Sequence, residues 1–399
     1  MIGYLDIVPK DSCCGCSACY NICPQQCISM QPDERGFLYP SIDYQSCINC
    51  GLCKITCPLI HRSDPLHFDR SFYGCYNTSE SIRLRSASGG LFSALAENTL
   101  SSGGYVAGAV FSSGYKKVLH VVSCNGLLIS SMQGSKYLQS DLNQAYQSIR
   151  GYLSDGRKVL FSGTPCQVAG LKSYLGHDYS GLISVDFVCH GVPSPGVWDI
   201  YLSYLEDQFG SKAIDVTFRD KTESWRSSSF QVKFENGEVF REQNSKNAYM
   251  RGFINNLFLR PSCTKCQFKS FSSGADITLG DFWGSSELKP PYLDDKGISI
   301  VSINTAKGKE LFSDIRPHLC DVREVDEKSG YVFNQSYRVS AIQNPESSLF
   351  YARLASESFP DIVDEILSRQ LMARKDNNRH MQILRVLLSK LMRFVKVKR

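Results

Sequence analysis

From Lys158 to Gly191 the apolar positions change their period twice. Val159-Leu160-Phe161 is a short continuous apolar run, broken by Gly163 and Pro165, as in a buried strand that ends in a loop. Val168, Leu171 and Leu175 then recur at helical spacing. Leu182 to Val188 returns to a β-branched, apolar composition before Cys189-His190-Gly191. Strand, helix and strand in that order predict a β-α-β unit with parallel neighbouring strands. Cys166 and Cys189 would then stand at the carboxyl edge of one sheet, where open α/β sheets bind ligands.

The same alternation runs along the rest of the chain. Phe72 to Tyr76 reads as a strand, Ser88-Gly89-Gly90 as a loop opening into a helix from Leu91 to Leu100, Tyr105 to Phe111 as a buried strand and Lys117 to Cys124 as its partner. Gly134 to Ser140 precedes a helix through Ile149, and Trp198 to Phe209 is amphipathic. Val216 to Lys221 and Phe230 to Phe234 are sheet segments, the second closed by the turn Glu235-Asn236-Gly237-Glu238. Asp276 to Gly284 is a strand entering a loop. Three regions follow: 1–62, rich in cysteine; 63–345, alternating strands and helices; and 346–399, helical with a basic end. His61 to Arg70, polar and proline-containing, reads as the linker between the first two.

Seventeen cysteines change the picture. Cys13-x2-Cys16-x2-Cys19-x3-Cys23-Pro24 is repeated as Cys47-x2-Cys50-x2-Cys53-x3-Cys57-Pro58. In this bacterial-ferredoxin spacing three thiolates surround one 4Fe-4S cube and the fourth reaches across to the other. One predicted ligand set is Cys13, Cys16, Cys19 and Cys57; the second is Cys47, Cys50, Cys53 and Cys23. C-x2-C pairs also bind zinc, but eight cysteines in register, each run ending in proline, favour iron and sulfur. Cys14 and Cys27 fall outside the register and read as spare thiols. Met30 to Tyr44, with its Asp33-Glu34-Arg35-Gly36 turn signal, is a hairpin or loop between the two halves. Further on, Cys263-x2-Cys266 has the spacing of a metal knuckle, and with Cys166 and Cys189 it makes four thiols, the number a third cube requires. A structural zinc, or two buried cysteines beside a knuckle, satisfies that spacing equally. Cys75, Cys124 and Cys320 have no partner at ligand spacing and read as core residues.

Disulfides are the weaker reading of so many cysteines. No charged-then-apolar leader precedes Cys13 and no stretch approaches the ~20 apolar residues of a membrane span, which points to a reducing, cytoplasmic setting. The net charge of +5 is uneven: Arg369 to Arg399 holds ten Lys or Arg and one Asp, so the tail carries +9 and the rest of the chain −4. The body therefore has no nucleic-acid footprint. In the tail, Leu384, Leu387, Leu388, Leu391, Phe394 and Val395 share one helical face and Arg385, Ser389, Arg393 and Lys396 the other. Such a helix either lies on the anionic inner face of a membrane, as a peripheral contact, or docks on its own domain or a partner.

Five motifs occur in order: GTPCQVAGL (Gly163 to Leu171), CHGVPSP (Cys189 to Pro195), FRDK (Phe218 to Lys221), FLRPSCTKCQF (Phe258 to Phe268) and DITLGDFWG (Asp276 to Gly284). Through them, from about Phe72 to Asn304, the chain resembles the coenzyme F420 hydrogenase/dehydrogenase beta-subunit family. That resemblance implies a flavoprotein that binds FAD and a 4Fe-4S cluster and passes electrons between iron–sulfur centres and a hydride carrier or organic substrate. It implies Cys166, Cys189, Cys263 and Cys266 as ligands of a third cluster, and Ser88, Gly89, Gly90, Lys136, Gly163 and Thr164 as flavin contacts. Bare N–H groups where a loop enters a helix suit an anion, although a Ser-Gly loop also serves as a plain N-cap. Members commonly carry an Arg shortly before the DIT motif, where this chain has Ser272-Ser273-Gly274, a departure that bears on the substrate or hydride donor. Bacterial members with a ferredoxin segment in front accompany surface-polysaccharide gene sets, which implies a small-molecule or sugar-linked substrate.

The expected fold class is α+β or α/β: an N-terminal dicluster ferredoxin domain, a mixed α/β flavin- and iron–sulfur-binding domain, and C-terminal helices. His190 and Asp281 are the candidate catalytic groups. His190 would relay protons to flavin or substrate, or else simply hydrogen-bond a cluster sulfur or the backbone, while Asp281 would act with it or only cap its loop. Two functions fit: a flavin-dependent iron–sulfur oxidoreductase served by a ferredoxin or a hydride donor, or an electron-transfer subunit that docks on a separate catalytic partner. A scaffold that keeps clusters for stability fits poorly, since a chain this long can bury a core without them.

Overall fold

The computed structural model of the chain describes residues 8–61, 68–292 and 294–373. The basic helix expected between Ile383 and Val397 lies outside the described residues, as does most of the expected linker.

The β-α-β unit forms as its apolar pattern requires. β7 (Val159–Ser162) and β8 (Leu182–Phe187) pair in parallel with Val159 opposite Leu182, and the helix Pro165–Leu175 joins them. Val168 and Leu171 are fully buried on that helix, beside Phe161 of β7. Around this unit grows a nine-stranded sheet. It adds β3 (Ser71–Asn77), β4 (Tyr105–Phe111), β5 (Val118–Ser123), β6 (Ser140–Asp141), β12 (Ile277–Asp281), β13 (Ser299–Ile303) and β14 (Leu319–Val325), in the spatial order β14-β3-β13-β12-β8-β7-β4-β5-β6. β12, β8, β7 and β4 are mutually parallel, and β3 shares their direction because β13 is antiparallel to both β12 and β3. The loops after β3, β12, β8 and β7 therefore open at one edge.

Buried polar side chains fix the crossings. Asp276, fully buried, accepts from Ser184 N (2.8 Å), Ser184 Oγ (2.6 Å) and Thr305 Oγ1 (2.7 Å), which ties β8 to the turns flanking β12 and β13. A second layer, β9 (Ala213–Asp220), β10 (Ser229–Phe234) and β11 (Val239–Gln243), packs on the helix Pro195–Phe209. Trp198, Phe230 and Tyr249 fill that core together with Phe359, Ile362 and Val363, so the described part of the C-terminal region shares the body's core. Among the described residues no helix is long and apolar enough to cross a membrane.

The cysteine-rich segment holds an antiparallel hairpin, β1 (Ile28–Pro32) and β2 (Leu38–Ile42), with Asp33 Oδ1 accepting from Arg35 N and Phe37 N across the turn. It lies directly on the body. Gly36, at φ +81°, presses its backbone on Gly196, where a Cβ would come within 2.5 Å of the Gly196 nitrogen. Gly170 leaves room for Cys16 on the helix Pro165–Leu175 in the same way, and Asn21 donates to Asn143 O (2.9 Å). One expectation fails here. Cys75 is buried, but Cys124 is exposed and Cys320 half-buried, because both fall at the ends of strands β5 and β14 rather than inside the sheet.

Candidate functional site

Cys13, Cys16, Cys19 and Cys57 wall one cavity of about 280 Å³, and all four are buried. Gly15 (φ +68°) and Ser17 (φ 58°) take the left-handed backbone that turns three thiols inward within seven residues. Cys57 arrives from the second repeat, as the crossed spacing requires. Burial raises the Cys19 thiol well above its ordinary range, and neighbouring Cys13, Cys57 and Cys53 push the same way. The other register cysteines gather farther out. Burial raises the Cys53 thiol, with Cys50 and Cys23 adding to it, while Cys50 itself is exposed. Cys27 Sγ lies 3.4 Å from Cys23 Sγ.

A larger cleft of about 740 Å³, counting its open mouth, is lined by Cys166, Cys189, Cys263 and Cys266. Three separate elements bring these thiols together. Cys166 sits in the first turn of the helix after β7, whose start is fixed by a capping box: Thr164 N donates to Gln167 Oε1 (2.9 Å). Cys189 follows β8. Cys263 is held in the 3-10 turn Pro261–Lys265 by its own N–H on Arg260 O (2.9 Å), and Val192 N donates to its sulfur (3.3 Å). Burial pushes the Cys263 thiol up to about 12, against an opposing pull from Arg260, and raises Cys189 well above its usual range. Thiols held so high stay protonated at neutral pH unless a bound cation ionises them.

Four soft donors around one space fit a cube in both cavities. Among the described residues no three His, Cys, Asp or Glu side chains converge as a single ion needs. A tetrahedral zinc would draw its sulfurs to about 3.8 Å from one another, on a Zn–S bond of about 2.3 Å; a cube, with irons at separate corners, asks for thiols spread around a shared volume.

The two cavities are neighbours. Cys14 and Leu59 line both. Cys14, which the register left spare, hydrogen-bonds with Cys16 of one set and Cys166 of the other; the Cys16 contact is the largest cause of a thiol pushed well above its ordinary range.

The candidate flavin residues surround the same sheet edge with mixed availability. Gly89 N already donates to Ser299 Oγ (3.0 Å) and Ser88 Oγ to Ile298 O (2.6 Å), so the expected three-amide anion site narrows to the first turn of the helix Leu91–Ser101, whose leading N–H groups have no intrahelical partner. Lys136 Nζ bends back to Gln133 O (2.9 Å), and burial brings its pKa down to about 7. Gly163 N donates to Val185 O (3.1 Å) and Thr164 is occupied by the capping box, with Thr164 Oγ1 3.1 Å from Cys166 Sγ. Three buried atoms around this loop have no hydrogen-bond partner: His120 Nδ1, Gln133 Oε1 and Asp281 Oδ1. Unsatisfied acceptors and a buried lysine suit a polar heterocycle or its phosphates.

Asp281 does not merely cap its loop. Its Oδ2 accepts from Arg219 Nη1 (2.5 Å), and Arg219, nearly buried, lies over the Trp283 ring. Lys221, also buried, donates to the carbonyls of Arg83, Ser88 and Lys296, and burial lowers its pKa to about 7. Both cations stand in the FRDK motif, which was the signal for them. His190 lines the cleft of the third thiol set. Asn256 Nδ2 donates to Ile342 O, so Asn256 Oδ1 faces His190 Nε2 at 2.6 Å and that nitrogen must carry the proton. Burial lowers the His190 pKa. It is held as a neutral hydrogen-bonding residue more than as a free relay.

Two stretches of the chain match known families. Residues 12–59 match the 4Fe-4S dicluster domain, and residues 156–328 match the C-terminal part of the coenzyme F420 hydrogenase/dehydrogenase beta subunit. An uncharacterized ferredoxin of Methanocaldococcus jannaschii is 38% identical over 52 residues, 13% of this chain and 66% of that protein. Pyruvate synthase subunit PorD of Methanothermobacter marburgensis is 36% identical over 50 residues, 12% of this chain and 52% of that one. The chain thus spans only half to two thirds of the length of these relatives. The F420-reducing NiFe hydrogenase complex of Methanosarcina barkeri contains a chain that aligns at 19% identity over 77% of this chain and 94% of its own, with a TM-score of 0.43. The chain thus carries a 4Fe-4S dicluster domain over residues 12–59 and, over residues 156–328, a region that matches the C-terminal part of the coenzyme F420 hydrogenase/dehydrogenase beta subunit.

Proposed function

We propose that the chain is an iron–sulfur flavoprotein oxidoreductase that takes electrons at its cysteine-rich segment and delivers them at the carboxyl edge of the large sheet. The observation that carries this reading is the adjacency of the two inner thiol cavities, joined by Cys14 and Leu59. Cys47, Cys50, Cys53 and Cys23 would form the outer set, Cys13, Cys16, Cys19 and Cys57 the middle set, and Cys166, Cys189, Cys263 and Cys266 the inner one. Bound clusters would supply single-electron transfer, and bound FAD the pairing of two electrons. The protein's own part is to hold three sets of thiols, two of them around cavities, with the middle set buried from water. Ser88 to Gly90, Lys136, Gly163 and Thr164 frame the flavin's place, and the Arg219–Asp281 pair fixes charge beside it. The substrate is a small organic molecule or hydride carrier, with a sugar-linked compound one member of that class.

Anaerobically reconstituted full-length protein should hold about twelve irons, on four per cube, and release FAD on acid extraction. About eight irons, unchanged by Cys263→Ala, would remove the inner set; no FAD on extraction or titration would remove the two-electron step.

A second reading, an electron-transfer subunit without its own substrate, is favoured by one observation. Tyr44, Ile48, Leu52 and Ile55 are exposed around Cys50, an apolar surface at the outermost thiol set where a partner protein could seat. Substrate turnover by the isolated chain with an artificial donor separates the two.

A further inference from the structure

Arg260 is fully buried, yet no carboxylate pairs with it among the described residues. A buried cation without an anion is costly unless a counter-charge is supplied. Its guanidinium donates from Nε to Cys13 O (2.8 Å) and from Nη1 to Gln139 Oε1 (3.1 Å), and Nη2 points toward Cys13 Sγ at 3.9 Å. The Tyr39 ring lies 4.0 Å from it as a cation–π partner. Gly15 makes the approach possible, since a Cβ there would fall 2.9 Å from the Arg260 Cζ. On its other side the same side chain lines the cleft of Cys166 and Cys263, and its carbonyl accepts the Cys263 N–H. The cation therefore stands between the middle and inner thiol sets, in contact with Cys13 of the first and close enough to act by its charge on Cys166 and Cys263 of the second.

We propose that Arg260 is a redox-positioning residue, the shared counter-cation of the middle and inner iron–sulfur sites, which holds both reduction potentials up together and favours electrons on either site over the solvent-facing outer one. Each four-thiolate cube carries net negative charge that grows by one on reduction, so a fixed positive charge in low dielectric stabilises the reduced form of whatever lies on either side of it. Gln139 completes the device. Its Oε1 accepts from both Arg260 Nη1 and Leu38 N (3.1 Å), which leaves the guanidinium neutralised by neither contact. This inference rests on the inner set being a cluster, and the test separates the two.

The experiment is a redox titration of the anaerobic full-length holoprotein, followed by low-temperature EPR with iron content measured on each sample. Arg260→Gln removes the charge. Gln139→Glu keeps the cation and both oxygen contacts but pairs it with a carboxylate, so it tests the charge even if Arg260→Gln fails to assemble. In each, the reduced-to-oxidised ratio of the two inner components at a fixed poise should fall about tenfold or more, as one unit charge at close range in a protein interior implies, with the outer component unmoved. Arg260→Lys should restore both. Variants that keep the wild-type iron content and leave both ratios unmoved, or shift only one of them, overturn the inference. A wild-type protein with only about eight irons overturns the reading beneath it.

Discussion

At the scale of single residues the site is governed by burial acting on titratable groups. His120 shows the sign clearly. Its ring is buried against Phe161 with Nε2 on Ser162 O, and burial lowers its pKa to about 4 from an ordinary 6.5. The unfolded chain therefore takes the proton first. The stability contributed by neutral His120 is intact above pH 6.5 and drains away as pH falls toward 4, by roughly 1 kcal/mol at pH 5.5. Denaturant unfolding at pH 7.5 and 5.5 should show a smaller loss in His120→Gln than in wild type; an equal loss would assign the pH dependence elsewhere. Residues of this kind divide sharply in how visible they are beforehand. The eight register cysteines announce themselves by spacing, because a cube fixes the distance between its ligands. Arg260, Arg219 and Cys14 carry no periodic signature. Each sat inside or beside a motif, but what it does depends on a residue more than sixty positions away, and only the folded chain brings Arg260 to Cys13 or Arg219 to Asp281.

Among elements, the helix Pro165–Leu175 carries more than its own propensity would suggest. Its N-terminus sets Cys166, its buried face packs the sheet, and Gly170 on a third face receives the middle thiol set. Glycine in a helix interior costs about 1 kcal/mol relative to alanine, so on propensity alone Gly170→Ala should stabilise the protein. Sterics oppose this, since the added Cβ would stand 2.8 Å from Cys16 Cβ and 2.9 Å from its sulfur. We expect displacement of Cys16 to win, with iron falling by about four per chain. A raised melting temperature with unchanged iron would show that Cys16 can yield. The β-α-β unit around this helix was readable because its strands are buried on both faces and its helix is short and periodic. The β9–β11 layer was less so: Val239 to Gln243 alternates little and is half-exposed, so β11 gave no apolar signal of its own.

For the whole molecule, the order of the thiol sets from surface to sheet edge gives the proposed route its sequence of stations. Cys50→Ala with Cys53→Ala should remove the outer set alone. Flavin should stay bound and remain reducible by a small chemical reductant, while reduction by ferredoxin stops. Ferredoxin reduction at the wild-type rate would place the entry port on another surface of the body. Much of this architecture was legible from the register and the motif order. The docking of the cysteine-rich segment was not, because it rests on the closeness of two glycine backbones, Gly36 and Gly196, and a contact made by absent side chains leaves no mark in composition.

That glycine contact has a kinetic meaning. A carrier domain on a tether must find its acceptor by diffusion, and its rate then follows linker length and the viscosity of the surroundings. Here Gly36 rests on Gly196, Arg260 reaches Cys13 O and Thr56 O accepts from Ser173 Oγ, so the donor is already seated where a tethered domain would have to arrive. On the proposed route no encounter would precede passage between the middle and inner sites. The only search left on that route would be the one an external partner makes, and crowded surroundings would slow that arrival without touching what happens inside the chain.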